Sequence, residues 1–305
     1  MHESVLLTET IEALNLKEDS IVVDCTLGYG GHSSEILKRI PKGKLYCFDQ
    51  DIDAINYSKE RLNLIADNFE IIQSNFVNIK KELEKRNLKR VDRILYDLGV
   101  SSPQLDQKER GFSFHQDARL DMRMDREKEL DAHFVVNSYS EDELTRIFFE
   151  YGEEKFSKSI AKKIVEKRNE KSIDTTLELV EVIKQAVPFK YAREHHPARK
   201  VFQAIRIEVN KELEVFENSL RDSLNILNKN GRICVITFHS LEDKICKNIY
   251  NEVSKIDDKL SKLPVIPEEY LKDFKVIKTF KPKEKELEKN NRARSSKLRV
   301  IEKIR

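Results

Sequence analysis

SIVVDCTLGYGGHSSEILKRIPKGKLYCFD, residues 20–49, decides the fold. It opens with a short β-branched run, passes through a loop holding Gly28, Gly30 and Gly31, and continues with Ile36, Leu37 and Ile40 at helical spacing before Pro41. A second apolar run, Lys44 to Phe48, ends at Asp49. Strand, glycine loop, helix, strand is the opening of a parallel α/β sheet with right-handed crossovers.

The alternation continues downstream. Asp53 to Leu64 reads as a helix, Glu70 to Gln73 and Arg93 to Tyr96 as third and fourth strands, and Ile79 to Asn87 as a charged helix between them. After Asp125 the texture changes to charged helices. Ser140-x-x-Glu143 and Thr175-x-x-Glu178 are capping-box signatures, and Phe156, Ile160 and Ile164 repeat every four residues. From Ala198 one long helix is expected, its stripe Phe202, Ile205, Val209, Leu213, Phe216, Leu220, Leu224 and Leu227 packing on the sheet until Asn230-Gly231 stops it. Arg232 to Phe238 reads as a strand, Phe274 to Phe280 and Leu298 to Ile301 as a last β pair, and Asp257 to Tyr270 as a surface loop. The expected division is 1–106 and 208–305 for the sheet domain, with 107–207 a helical insertion that recognises substrate.

Composition narrows the classes. At 305 residues and 39% hydrophobic the chain can build a real core, while 56 basic against 54 acidic side chains leave a net charge of +2. Any polyanion site must therefore be a local patch. No run of about 18 apolar residues could span a bilayer, and MHESVLLTET lacks the order of a signal peptide, so no membrane role and a cytoplasmic location are expected. Cys25, Cys47, Cys234 and Cys246 lack any CxxC spacing and read as buried free thiols, with no metal site expected.

The glycine loop lets the backbone approach a ligand closely. Its pattern D-x-T-x-G-x-G-G-H is not the G-x-G-x-x-G of dinucleotide sites, because His32 stands one residue before the place of the last glycine. Asp49, about twenty residues on, is where an acid takes the ribose hydroxyls of a nicotinamide or an adenosyl cofactor. Asp24 favours S-adenosylmethionine, since it could accept from an ammonium and would repel a pyrophosphate. The fourth strand ends at Asp97, followed by Ser101, Ser102 and Pro103, which resembles the acid-plus-proline loop of amino-methyltransferases. Such a loop orients an exocyclic amine toward the sulfonium methyl, and because the amine lone pair is delocalised, positioning is a large share of the task. An ordinary strand-to-loop junction would also end this way; the glycine loop upstream selects the functional reading.

GYGGHS (28–33), DLGVSSPQLD (97–106), RGFSF (110–114), LDMRMD (120–125), YGEEKF (151–156), FQAIRIEVNKEL (202–213), FHSLED (238–243) and RARSSKLR (292–299) closely resemble the bacterial small-subunit (16S) rRNA cytosine-N4 methyltransferases, the RsmH or MraW family, nearly end to end. The resemblance implies a class I S-adenosylmethionine-dependent methyltransferase fold, a Rossmann-like α/β sheet with an inserted helical domain. It implies methylation of one cytidine in the decoding region of small-subunit RNA, within the 30S subunit, and leaves a homodimer open. Carried over by position, Gly30, Gly31 and His32 would hold the cofactor's amino-acid end, Asp49 the ribose and Phe76 the adenine region, with Asp97 and Gln104 completing that pocket. Asp97, Ser101, Ser102 and Pro103 are the candidate amine-orienting residues.

For RNA phosphates the better candidates are Arg193, His195, His196, Arg199, Lys200 and Arg206, which have few acidic neighbours besides Glu194. Phe112 and Phe114 could stack on a base or anchor their loop. The chain departs from the family's HPATR at Arg199-Lys200, which puts a bidentate phosphate contact there in doubt. Asn291 and Ser4 also replace residues usual in the family. Two other functions fit the same residues: a non-catalytic RNA-binding assembly factor, and a methyltransferase of this fold acting on a protein amine.

Overall fold

The computed structural model describes residues 4–101, 104–105, 107–194, 196–257, 260, 265 and 267–305. They form two compact units, 1–99 with 213–305 and 100–212. These bounds lie a few residues outside the 107–207 expected for the insertion at both of its ends.

In the first unit the chain runs α1 (Leu7–Leu14), β1 (Ile21–Asp24), α2 (Gly31–Leu37), β2 (Lys44–Asp49), α3 (Ile52–Asn63), β3 (Phe69–Gln73), α4 (Ile79–Glu84) and β4 (Val91–Asp97). The second unit holds α5 (Ala132–Ser138), α6 (Glu141–Glu150), α7 (Ser157–Glu170), α8 (Thr176–Gln185), α9 (Phe189–Glu194) and α10 (Ala198–Asn210). The chain returns through α11 (Glu212–Ile226), β5 (Leu227–Thr237), α12 (Ser240–Ser254), β6 (Phe274–Phe280), α13 (Glu284–Lys289) and β7 (Lys297–Lys303).

The sheet order is β3-β2-β1-β4-β5-β7-β6. The first five strands are parallel, and β7 inserts antiparallel between β5 and β6. This is the Rossmann-like class I sheet that the resemblance implied. The chain moves outward from β1 to β3 and then returns to β4 on the other side of β1, so the order reverses between β1 and β4. That reversal opens a crevice at the carboxyl ends of those two strands.

Strand alternation divides the sheet's core. Val23, Phe48, Ile94 and Tyr96 pack with Phe216, Leu220 and Tyr250 on one face, and Val22, Leu45, Leu95 and Ile236 pack with Leu14, Ile36 and Leu298 on the other. The four cysteines are free and buried. The second unit has its own core, with Leu144, Ile147, Phe148, Ile160, Ile164, Leu179, Ile183, Phe202 and Ile205 at its centre. Both capping boxes form as the sequence pattern requires, at Ser140 and at Thr175.

The single helix expected from Ala198 to Leu227 is two. Lys211 adopts a left-handed φ of 55° and caps α10, its N–H donating to the Ile207 carbonyl. The buried Asn210 amide supports the break by donating to the Met122 and Arg206 carbonyls and accepting from the Met124 N–H. What reads as one apolar stripe therefore serves two cores: Phe202, Ile205 and Val209 belong to the second unit, Phe216, Leu220 and Leu224 to the sheet. Nor does Asn230-Gly231 stop the helix. It ends at Ile226, and Asn230 and Gly231 sit inside β5, where the pairing shifts from Val91↔Leu227 to Arg93↔Arg232. A Cβ on Gly231 would stand 2.7 Å from the Asn228 carbonyl oxygen and 2.9 Å from that of Asp92, so this irregularity requires glycine.

Candidate active site

Asp24 and Asp97 end the two strands that flank the reversal. Asp24 is 1% exposed; its carboxylate accepts from the Ser33 hydroxyl at 2.7 Å and the Thr26 N–H at 3.0 Å. Burial pushes its pKa up, against those hydrogen bonds and the neighbouring His32. Thr26 ties the two strands together: its hydroxyl donates to Asp24 at 3.4 Å and accepts the Asp97 N–H at 2.7 Å.

The glycine loop brings a third ionisable group to the same place. His32, the second residue of α2, is 5% exposed, and its Nδ1 stands 3.4 Å from Asp97 Oδ2. Burial alone would push this imidazole's pKa down; the hydrogen bond and charge of Asp97, with the charge of Asp24, turn it upward. Two buried atoms here, His32 Nε2 and Asp97 Oδ1, have no hydrogen-bond partner among the described residues. Buried polar atoms seldom stay unpaired, so the pair marks a place where a ligand supplies the partners.

Gly28 and Gly30 have φ of 50° and 71°. A Cβ on Gly30 would meet Ser58 Oγ at 3.2 Å. Asp49 accepts the Gly28 N–H at 2.9 Å on one oxygen and the Asp51 N–H at 2.8 Å on the other. The Gln50 N–H bears on the same carboxylate, so three donors share its four lone-pair sites. Burial lifts the Asp49 pKa to about 7, with those N–H groups opposing. Phe76, after β3, is half-buried and meets the Tyr96 ring edge-on at 5.6 Å, while its carbonyl accepts from Ser219. Gly30, Gly31, His32, Asp49, Phe76 and Asp97 thus all belong to the first unit.

Ser101 and Gln104 belong to the second. They bind one another, the Ser101 N–H donating to Gln104 Oε1 at 3.0 Å and the Gln104 N–H to Ser101 Oγ at 3.4 Å. Ser102 and Pro103 lie outside the described residues, as does His195.

Among the cationic candidates Arg193, His196 and Arg199 are exposed. Lys200 donates to the Glu153 carbonyl at 2.7 Å. Arg206 differs from the expectation: it grips Glu212 through two hydrogen bonds, at 2.8 and 2.9 Å, with both side chains largely buried. A guanidinium held by a carboxylate in this fork-to-fork way has little left for a phosphate. Phe112 is 5% exposed and anchors its loop. Phe114 is half-buried, and against it lie the His115 ring at 4.3 Å, the His196 ring at 4.5 Å and the Phe202 ring at 5.7 Å.

The FHSLED stretch is a helix start. Glu242, 2% exposed, accepts the Phe238 N–H at 2.7 Å and the His239 N–H at 3.3 Å, and its other oxygen lies 3.0 Å from His239 Nε2. Sequence reasoning missed Thr26 and Ser33 as the groups that hold the two aspartates. Both lie inside the quoted glycine-loop segment, but nothing in their spacing announces which carboxylate they reach.

Residues 1–304 match a family model described as the MraW methylase family. Ribosomal RNA small subunit methyltransferase H of Exiguobacterium sibiricum is 51% identical over 308 residues, covering 100% of this chain and 98% of that protein. The protein of the same name from Clostridium botulinum (strain Loch Maree / Type A3) is 54% identical over 306 residues, with 99% of each covered. Among solved structures, an rRNA methylase from Streptococcus thermophilus aligns with a TM-score of 0.45 at 12% identity, over 98% of this chain and 94% of that one.

Proposed function

Since this chain belongs to the MraW methylase family, we infer that the S-adenosylmethionine-dependent methylation of small-subunit ribosomal RNA it performs is directed at the exocyclic N4 amine of one cytidine. One observation carries the choice of an amine: Asp97, at the switch point of the sheet, keeps a buried carboxylate oxygen with no partner among the described residues. An amine N–H is a donor that such an acceptor suits.

The residues present fit the cofactor. Gly30, Gly31 and His32 would hold its amino-acid end, with His32 Nε2 able to reach a carboxylate or amine that supplies its missing partner. Asp49 has a lone-pair site free for a ribose hydroxyl, and Phe76 offers a ring edge and face for adenine. When bound, S-adenosylmethionine supplies an electrophilic methyl on a sulfonium. Asp97 would accept one hydrogen of the target amine and so turn the nitrogen toward that methyl, and holding that geometry is the main catalytic contribution asked of the protein. For Gln104 we retain the cofactor contact, and for Ser101, Ser102 and Pro103 the amine-orienting loop, that the family resemblance implies.

RNA reaches the protein as a cytidine unstacked from its neighbours. The second unit would recognise it, with Arg193, His196, Arg199 and Lys200 meeting phosphates. The substrate we propose is the RNA of the 30S subunit in the cytoplasm; none of the described helices is long and apolar enough to cross a membrane. Incubating the protein with methyl-labelled cofactor and unmethylated small subunits should place the label on N4 of a single cytidine, read by nuclease digestion and mass spectrometry. Asp97→Ala should abolish labelling while S-adenosylhomocysteine still binds by calorimetry. Label on a ribosomal protein, or undiminished turnover by the variant, would overturn the reading.

A further inference from the structure

Three ionisable groups of the first unit meet at the switch point: the buried Asp24 on β1, the buried His32 on α2 and the half-buried Asp97 on β4. Also within reach are the Ser33 and Thr26 hydroxyls, which bind Asp24, the Cys47 thiol on β2, 3.4 Å from Ser33 Oγ, and the Val5 backbone, which bears on the His32 imidazole. Asp97 faces the imidazole with one oxygen and leaves the other unpartnered among the described residues. Its backbone is held by Thr26, whose hydroxyl accepts the Asp97 N–H at 2.7 Å. We propose that His32 is a positioning residue for methyl transfer: Nδ1 holds Asp97 Oδ2, so that Oδ1 faces the amine and then receives its proton. This rests on the amine-orienting role proposed for Asp97.

The charge balance of the step favours this arrangement. The amine lone pair forms the N–C bond, the C–S bond breaks with its electron pair going to sulfur, and the methylated nitrogen sheds one proton. A positive charge thus vanishes at sulfur while a proton appears nearby. If the proton stays on the Asp97–His32 pair, the total charge of the buried site is unchanged through the step; if it had to reach water at once, the low-dielectric site would lose a unit charge. A carboxylate alone could take the proton, but Asp24 beside it carries burial-raised affinity for its own proton. An imidazole whose protonated form is favoured by both acids balances them. The proton leaves to solvent when the products do.

The test has two arms. In the cofactor-free protein with 15N-labelled histidine, the His32 imidazole, assigned by its absence in His32→Gln, should titrate at a higher pH than the exposed histidines; Asp97→Asn should move it down. In turnover with small subunits, His32→Gln should lower kcat on the order of 10²-fold, as a misplaced reacting group does, with KM for subunits unchanged. The pH profile of its kcat should change as well, because the wild-type profile carries the titration of the His32 imidazole and the variant has none. His32→Asn, whose amide restores a donor near the place of Nδ1, should recover part of kcat but not the wild-type pH profile. An imidazole titration indifferent to Asp97→Asn, or a His32→Gln enzyme with wild-type kcat and pH profile, would overturn the proposal. Wild-type enzyme that labels no cytidine would overturn the function proposed above instead, and leaves the titration arm standing as a test of the pairing.

Discussion

Asp49 shows how a single residue's surroundings set a measurable pH dependence. Its pKa of about 7, against the ordinary 3.8, means that near neutrality the carboxylate is part protonated. Ribose hydroxyls donate to the ionised form, so affinity for S-adenosylhomocysteine should be constant above about pH 7 and fall by up to tenfold per unit below it. Calorimetric titrations from pH 8 to 5.5 would read this, and Asp49→Asn should bind more weakly with the slope removed. The same shift acts on stability with the opposite preference. The folded state binds the extra proton between about pH 4 and 7, so this group's contribution to stability rises as pH falls through that window. Gly30 makes a backbone demand instead. At φ 71°, with Ser58 against the place of a Cβ, Gly30→Ala should cost about 1–2 kcal/mol, read as a lowered urea midpoint.

The elements were legible in the sequence wherever local chemistry decides them. The parallel strands declared themselves as short apolar runs closed by Asp24, Asp49 and Asp97, and the capping boxes at Ser140 and Thr175 fixed two helix starts. The errors fell where tertiary contacts override a local pattern. The stripe from Phe202 to Leu227 keeps helical spacing across Lys211, so periodicity could not reveal the break; it is made by Asn210, a polar residue whose partners Met122 and Met124 lie more than eighty positions away. Asn210→Ala would leave the Met124 N–H and the Met122 carbonyl without that partner. The expected loss is about 1–3 kcal/mol, seen in denaturant unfolding. Likewise Asn-Gly usually ends a helix or makes a turn, and only the register of β5 against β4 shows that here it bulges a strand. Arg206 read as a free cation because Glu212, six residues on, comes within reach only once the chain turns at Lys211. At the site, the sequence pointed to the glycine loop, Asp49 and Asp97, but not to the pairing of Asp97 with His32, since residues sixty-five apart meet only through the sheet's strand order.

At the scale of the molecule, two cores divide the labour. Phe148 is fully buried in the second unit, whereas His32, Asp49, Phe76 and Asp97 are all in the first. Phe148→Ala should therefore destabilise by about 3–5 kcal/mol, with affinity for S-adenosylhomocysteine unchanged under native conditions. The sheet has one more consequence. Its order leaves β6 at an edge, with Lys275, Val276, Ile277, Lys278 and Thr279 all exposed and the pairing to β7 shifted between Val276 and Lys278. An unpaired edge carrying Val and Ile is a template onto which another chain could add a strand. The two lysines and the irregular register oppose that addition. In a cell crowded with nascent chains, they guard this enzyme's solubility, and a variant with valine at 275 and 278 would be expected to keep its chemistry and lose itself to precipitation.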